Sequence, residues 1–189
     1  MRAVVGLGNP GPEYALTRHN LGFWVVDRLR AAGGWTRALF PWGEVFLEGE
    51  RALLKPLTYM NRSGEAIRGL LSRHPLGPRD LLLVHDDADL PVGAVRLRER
   101  GGDGGHLGVR SVLAALGTED VPRLKIGIGP VPEGMDLADY VLSVPPPEEL
   151  EALREAAAFA AEVAAAFLAG GYAEALRRYS RGVAAGKEV

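Results

Sequence analysis

Four side chains in this sequence could together activate water: an imidazole, a carboxylate and two amides, at His19, Asp86, Asn9 and Asn61. A neutral imidazole titrates near neutral pH, and a carboxylate on its far nitrogen fixes the tautomer and stabilises the imidazolium that forms. Asparagine amides can donate to a developing oxyanion and accept from a water or a bound amide. With no cysteine and no serine in a nucleophile-elbow setting, water is the natural nucleophile. Each residue also has a structural account that the sequence leaves open. Asn61 and Ser63 could cap the helix that follows them, Asp86 and Asp87 could shape the turn before Leu90-Pro91, and His19 could cap the helix after Asn20.

His19 closes a stretch, residues 4–20, that also spells a second chemistry. Gly6, Gly8 and Gly11 read G-x-G-x-x-G after an apolar strand candidate, where a dinucleotide-binding loop would sit. Pro10 and Pro12 flank Gly11 and remove two of the backbone donors such a loop needs. The expected strand-end carboxylate is also missing, because Asp27 falls inside a helix-like run. Asn-Pro-Gly-Pro reads better as a rigid turn presenting Asn9, Tyr14 and His19 around a cleft.

The elements that must position these groups follow from hydrophobic periodicity. Strand candidates are Ala3–Leu7, Val45–Leu47, Ala52–Pro56, Leu81–His85, Ala94–Arg98 and Arg123–Gly129. Helix candidates are Leu21–Ala32, Gly64–Arg73, Gly108–Leu116, Glu148–Ala169 and Tyr172–Tyr179, the long one with Phe159, Val163, Ala166 and Phe167 on one face. Buried-looking runs alternating with helices predict an α/β fold, a twisted mixed β-sheet flanked by helices, with antiparallel edges around Phe40–Pro56 and Ala94–Arg98. Ligands in such sheets bind beyond the carboxyl ends of the strands, where Asn9, Thr58-Tyr59-Met60-Asn61, Asp86-Asp87 and the glycine loop with His106 fall. Pro130–Val144 has little periodicity and reads as either a lid or an inert connection.

Composition narrows the class. A chain of 189 residues with 47% hydrophobic and 24% charged residues reads as one domain over residues 1–189. Four histidines without H-x-x-x-H spacing and no cysteine argue against a metal site. The N-terminal apolar run is broken by Asn9 and Pro10, and Ala156–Ala169 is short and carries Glu162, so no signal peptide or membrane span is expected and the protein reads as cytoplasmic. A net charge of -2 conceals a local basic group: Arg96, Arg98 and Arg100 precede the glycine loop, and Arg110, Arg123 and Lys125 follow it. By itself that group reads as a solvated strand edge.

The run Gly-Leu-Gly-Asn-Pro-Gly-Pro-Glu-Tyr-Ala-Leu-Thr-Arg-His-Asn, residues 6–20, resembles the N-terminal signature of bacterial peptidyl-tRNA hydrolases. The similarity continues, in the family's order, through residues 55–64 (Lys-Pro-Leu-Thr-Tyr-Met-Asn-Arg-Ser-Gly), 84–93 (Val-His-Asp-Asp-Ala-Asp-Leu-Pro-Val-Gly), 104–108 (Gly-Gly-His-Leu-Gly) and 123–129 (Arg-Leu-Lys-Ile-Gly-Ile-Gly). The resemblance implies a monomer without metal or other cofactor that hydrolyses the ester joining a peptide to the terminal ribose of tRNA. It implies His19 as general base, Asp86 as the carboxylate that holds it ready, and Asn9 as the amide that tells a blocked peptide from a free α-amino group. Tyr14, Tyr59 and Asn61 match residues contacting the tRNA 3′ end or the peptide, and Met60 and His106 would line the cleft. Arg96, Arg98 and Lys125 fall where the family grips tRNA phosphate, which changes the reading of the basic group. Leu107 stands where the family commonly has Asn, and Asp103 where it often has His. Leu107 cannot hydrogen-bond through its side chain, so catalysis is expected to be weakened more than abolished. A non-catalytic RNA-binding relative is disfavoured because His19, Asp86, Asn9 and Asn61 are all present, and a nicotinamide enzyme by the prolines beside Gly11.

Overall fold

The six apolar runs become strands, joined by Thr36–Phe40 as a seventh, in one sheet of the computed structural model, which describes residues 1–186. They are β1 (Arg2–Gly6), β2 (Thr36–Phe40), β3 (Gly43–Glu48), β4 (Arg51–Pro56), β5 (Leu81–Pro91), β6 (Val95–Arg98) and β7 (Arg123–Gly129), in spatial order β2-β3-β4-β1-β5-β7-β6. The central pairings β4–β1, β1–β5 and β5–β7 are parallel, and the edge pairings β2–β3, β3–β4 and β6–β7 are antiparallel. The central strands are nearly all apolar because helices cover both faces. Helices α1 (Leu21–Ala31) and α5 (Pro147–Ala184) pack over Val4, Leu82, Val84 and Ile126. Helices α2 (Ser63–Leu71) and α3 (Leu107–Leu116) cover Val5, Leu54, Leu81 and Leu83 on the other face, following the strand's period of two.

The mixed sheet with antiparallel edges matches the sequence reading, with informative differences. Strand β5 runs on to Pro91 through a register shift after Asp87, so Asp86 and Asp87 lie inside the strand and do not end it. Strand β6 is antiparallel to β7 and therefore finishes at the far rim, leaving residues 99–106 to return to the cleft. The 130–144 segment contains a helix of its own, α4 (Leu137–Val141). The two C-terminal helix candidates stand as two helical stretches within α5, separated by a kink at the non-helical Gly171, where φ is 79° and ψ is -165°. An 18-residue window of α5 is long and apolar enough for a membrane span, yet half of it is buried within the fold. Leu153, Ala160, Val163 and Phe167 belong to the core under the sheet.

Two glycines fix where α1 begins. A Cβ on Gly22 would lie 2.3 Å from the Leu7 backbone nitrogen and 2.4 Å from the Val84 carbonyl oxygen, and one on Gly6 would lie 2.1 Å from the Gly22 carbonyl oxygen. The helix therefore starts in contact with the β1–β5 seam, and the 3-10 turn Arg18–Asn20 just before it is held at the ends of those strands. Of Gly6, Gly8 and Gly11, only Gly11 has positive φ, at 111°, so Gly6 serves close packing and not turn freedom.

Arg123 also departs from the sequence grouping. It is 1% exposed, and its guanidinium donates to the carbonyls of Gly102 at 2.7 Å, Val121 at 3.1 Å and Glu119 at 3.3 Å. Instead of gripping a ligand, it ties the returning glycine loop to β7. His85, on β5, is buried too, and its Nδ1–H donates to the Asp86 backbone carbonyl at 2.8 Å. Burial, with the neighbouring His106, lowers its pKa from 6.5 to about 3, so the ring is neutral in the native state at neutral pH.

Two outcomes follow from these packing constraints. Gly22→Ala forces a methyl onto backbone and should destabilise the protein by about 1–3 kcal/mol in denaturant unfolding; wild-type stability would show that α1 can retreat. Because unfolded chains protonate His85 below about 6.5 and the native protein only near 3, its contribution is complete above pH 6.5 and falls as pH drops toward 3. The loss from this group approaches about 1.4 kcal/mol per pH unit. His85→Gln should flatten that slope in pH-dependent unfolding.

Candidate active site

The parallel strands deliver their carboxyl ends to one cleft of about 870 Å³, lined by Asn9, His19, Tyr59, Met60, Asn61, Asp86, His106, Leu107 and Lys125. Nine of the residues singled out from sequence thus converge there, drawn from positions 9 to 125 of the chain. Tyr14 stands beside the cleft, its ring edge-on to Tyr59 with centroids 6.4 Å apart. Arg96 and Arg98 lie outside the cleft lining on β6.

The Asp86 carboxylate, 2% exposed, is the centre of the arrangement. A carboxylate only accepts, so both rings beside it must donate. His19 Nδ1–H reaches Asp86 Oδ2 at 2.8 Å and Oδ1 at 3.0 Å, and His106 Nε2–H reaches Oδ1 at 2.9 Å. Burial works to raise the Asp86 pKa, but the two imidazoles outweigh it and hold the group below the usual carboxylate range. His106 Nδ1 accepts the Val109 backbone N–H at 3.2 Å, which assigns its proton to Nε2 and makes it the N-cap of α3. With its Nδ1 proton on Asp86, a neutral His19 has Nε2 as its accepting atom.

His19, Asp86 and His106 also bring three possible metal-ligand atoms within 4.8 Å, a grouping invisible in linear spacing. The donor set fits a hydrogen-bonded triad better. A metal on His106 Nε2 would need the ring proton on Nδ1, where Val109 N–H already points.

The amides are oriented as firmly. Asn9 Oδ1 accepts the Met60 backbone N–H at 2.8 Å, so its Nδ2 hydrogens remain as donors. Asn20, 1% exposed, clamps the Asn9 backbone: its Oδ1 accepts Asn9 N–H at 2.8 Å, and its Nδ2 donates to the Asn9 carbonyl at 2.9 Å. Sequence reasoning did not single out Asn20; adjacency to His19 was its only signal. Ser63 Oγ donates back to the Met60 carbonyl at 2.6 Å, so neither it nor Asn61 caps α2. Tyr59, before Met60, has φ of 62°, a strained value for a bulky residue and one that collects at binding sites.

The far wall comes from the 130–144 segment, where Val131, Met135, Leu137, Val141 and Leu142 face the cleft. The segment was open to a lid reading from sequence, but these individual residues were not singled out, because the one helix in it, α4, is only five residues long. Leu107 extends the apolar surface from α3 and is 51% exposed. On the basic side, Arg96 and Lys125 sit directly opposite each other across the β6–β7 ladder. Lys125 also pairs with Asp87 at 3.6 Å. Arg100 pairs with Asp120 at 3.0 Å, and Arg110 with Asp103 at 3.2 Å.

Comparison with known proteins gives this geometry a family. A family model described as "Peptidyl-tRNA hydrolase" matches residues 3–187. A peptidyl-tRNA hydrolase of Chloroflexus aggregans is 47% identical over 186 residues, covering 95% of this chain and 99% of the relative. One from Thermotoga petrophila is 50% identical over 140 residues, 74% of this chain and 75% of the relative. The crystal structure of peptidyl-tRNA hydrolase from Acinetobacter baumannii superposes with a TM-score of 0.86 at 34% identity, covering 94% of this chain and 93% of the other. Sequence identity over nearly the whole length, a shared fold and a match spanning the cleft residues together mean that this chain belongs to the peptidyl-tRNA hydrolase family.

Proposed function

We propose that the protein hydrolyses the ester of peptidyl-tRNA, releasing free tRNA and an N-blocked peptide, with water activated by His19. Acting in the cytoplasm as a monomer away from membranes, it would recycle tRNA from aborted translation. The observation that carries the mechanism is the 2.8 Å contact between His19 Nδ1 and the buried Asp86 carboxylate. Such a contact leaves Nε2 to take the proton of a water in the cleft, and the carboxylate stabilises the imidazolium that results. Asn61, exposed in the cleft wall, and nearby backbone N–H groups steady the charge developing on the carbonyl oxygen.

The orientation of Asn9 supports its role in selection. With Oδ1 held by Met60, the side chain offers hydrogens to the cleft and so suits the carbonyl of a peptide bond. A free α-ammonium would meet a donor with a donor. Tyr14 and Tyr59 form an aromatic corner on which the terminal adenine could stack. Lys125, Arg96 and Arg98 supply cations along β6 and β7 for phosphate. Leu107, Met60 and His106 complete the wall against which the peptide lies.

Release of peptide from peptidyl-tRNA, with unblocked aminoacyl-tRNA as control, tests the whole reading. His19→Ala should lower turnover by about 10² to 10⁴ while binding is retained; unchanged turnover removes His19 from the mechanism. Lys125→Ala and Arg98→Ala should each weaken tRNA binding and reduce the slope of log affinity against log salt by about one. Their loss should be larger on full peptidyl-tRNA than on a minimal ester lacking the tRNA body. An equal loss on both substrates removes the phosphate role.

A further inference from the structure

Arg18, beside His19, is a charged residue only 5% exposed, and the mechanism above does not use it. It stands at a junction of three elements. Its Nη1 donates to Ser143 Oγ at 2.5 Å and to the Ser143 carbonyl at 3.4 Å, just past α4. Its Nη2 pairs with Glu149 in the first turn of α5 at 2.6 Å. Its guanidinium lies 4.1 Å from the centre of the Tyr140 ring, and its own backbone N–H also donates to the Ser143 carbonyl at 3.2 Å. Tyr140 in turn donates from its hydroxyl to the Ile128 carbonyl on β7.

Packing strength alone does not explain this choice of residue. Burying an ion pair is commonly no more stabilising than apolar side chains of similar volume, and here Nε is buried without a partner. What the guanidinium supplies is direction: several donors in a fixed plane that hold one segment at a set position. Its two ends have different consequences. Toward α4, it anchors the root of the segment whose Val131, Met135, Leu137, Val141 and Leu142 wall the cleft. Toward the chain, it occupies the same 3-10 turn as His19, stiffened by Thr17 Oγ1–H donating to the Tyr14 carbonyl at 2.8 Å and by Asn20 N–H donating to the Thr17 carbonyl at 3.1 Å. A displacement of α4 must therefore pull on the residue adjoining the imidazole.

We infer that Arg18 is a positioning residue that seats the 130–144 wall and the His19 imidazole together, so that one cannot shift without the other. This inference rests on the hydrolytic reading of the cleft. Arg18, Tyr140, Ser143 and Glu149 stand outside the cleft lining, so an effect on turnover from this junction has to pass through His19 or the wall.

The test measures kcat and KM per folded molecule on peptidyl-tRNA, with amide exchange across residues 137–143, for Arg18→Leu, Arg18→Lys, Ser143→Ala, Arg18→Leu with Ser143→Ala, and His19→Ala. Arg18→Leu should lower kcat roughly fivefold and speed exchange in 137–143, and Arg18→Lys should recover part of both. Ser143→Ala should lower kcat by itself and, in the Arg18→Leu background, cost less than the product of the two losses, because both remove the Arg18–Ser143 hydrogen bond, although Ser143 Oγ also donates to the Tyr140 carbonyl at 2.5 Å. Wild-type kcat in Ser143→Ala overturns the inference, as do losses that multiply in the double variant or a fall in kcat without faster exchange. If Arg18→Leu fails to fold, Ser143→Ala decides alone. His19→Ala separates the two levels: if it is as fast as wild type, the hydrolytic reading falls, and if it is slow while the junction variants are wild-type-like, only the coupling falls.

Discussion

A buried carboxylate with two imidazole donors is the constraint on which the rest of this structure turns. Asp86 sits in the middle of the sheet, on a strand paired on both sides, where burial alone would favour its neutral form. It is held ionised by His19 and His106, which arrive on two different loops, so both loops must be placed to within a fraction of an ångström. Loss of either partner would leave a buried charge incompletely compensated, which is far costlier than loss of a surface pair.

The fold meets that demand with polar anchors at loop roots and close backbone packing. On one side, Gly6 and Gly22 bring α1 onto the strand seam, and Asn20 ties the turn bearing His19 to the Asn9 backbone. On the other, Arg123 holds the returning glycine loop through backbone carbonyls, and Val109 N–H fixes the His106 tautomer. Rigidity of this kind is what a site needs when its catalytic groups reside on loops. The apolar wall opposite is different in kind. Its tip residues Met135 and Leu137 are exposed, whereas its root is locked through Tyr140 and Arg18.

Much of this was legible in the chain. The apolar runs at residues 3–7, 81–85 and 123–129 announce buried parallel strands because sheets covered on both faces lose the alternation of polar and apolar residues. Gly170-Gly171 separated two helix candidates, and the structure bends α5 at Gly171. The polar residues after successive strands marked one rim, and the cleft lies there. What failed to show was anything depending on a distant partner. Asp86 and Asp87 read as lying just past the end of their strand because nothing local reveals that β7 continues beside them. Arg123 read as a surface cation because the carbonyls that accept its hydrogens belong to other segments.

Sequence by itself determined the class of fold and the approximate elements and singled out His19, Asp86, Asn9 and Asn61 as residues of one rim, since residue type and local period are properties of the chain alone. Only the tertiary structure decided which histidine nitrogen faces the carboxylate, which way the Asn9 amide points and which arginines are buried. Those outcomes depend on hydrogen-bond partners many residues away, as with Asn9 and Met60, 51 positions apart, or Arg18 and Ser143, 125 apart. A polar side chain's direction is set by the partner that satisfies it when water is excluded, and no local pattern names that partner.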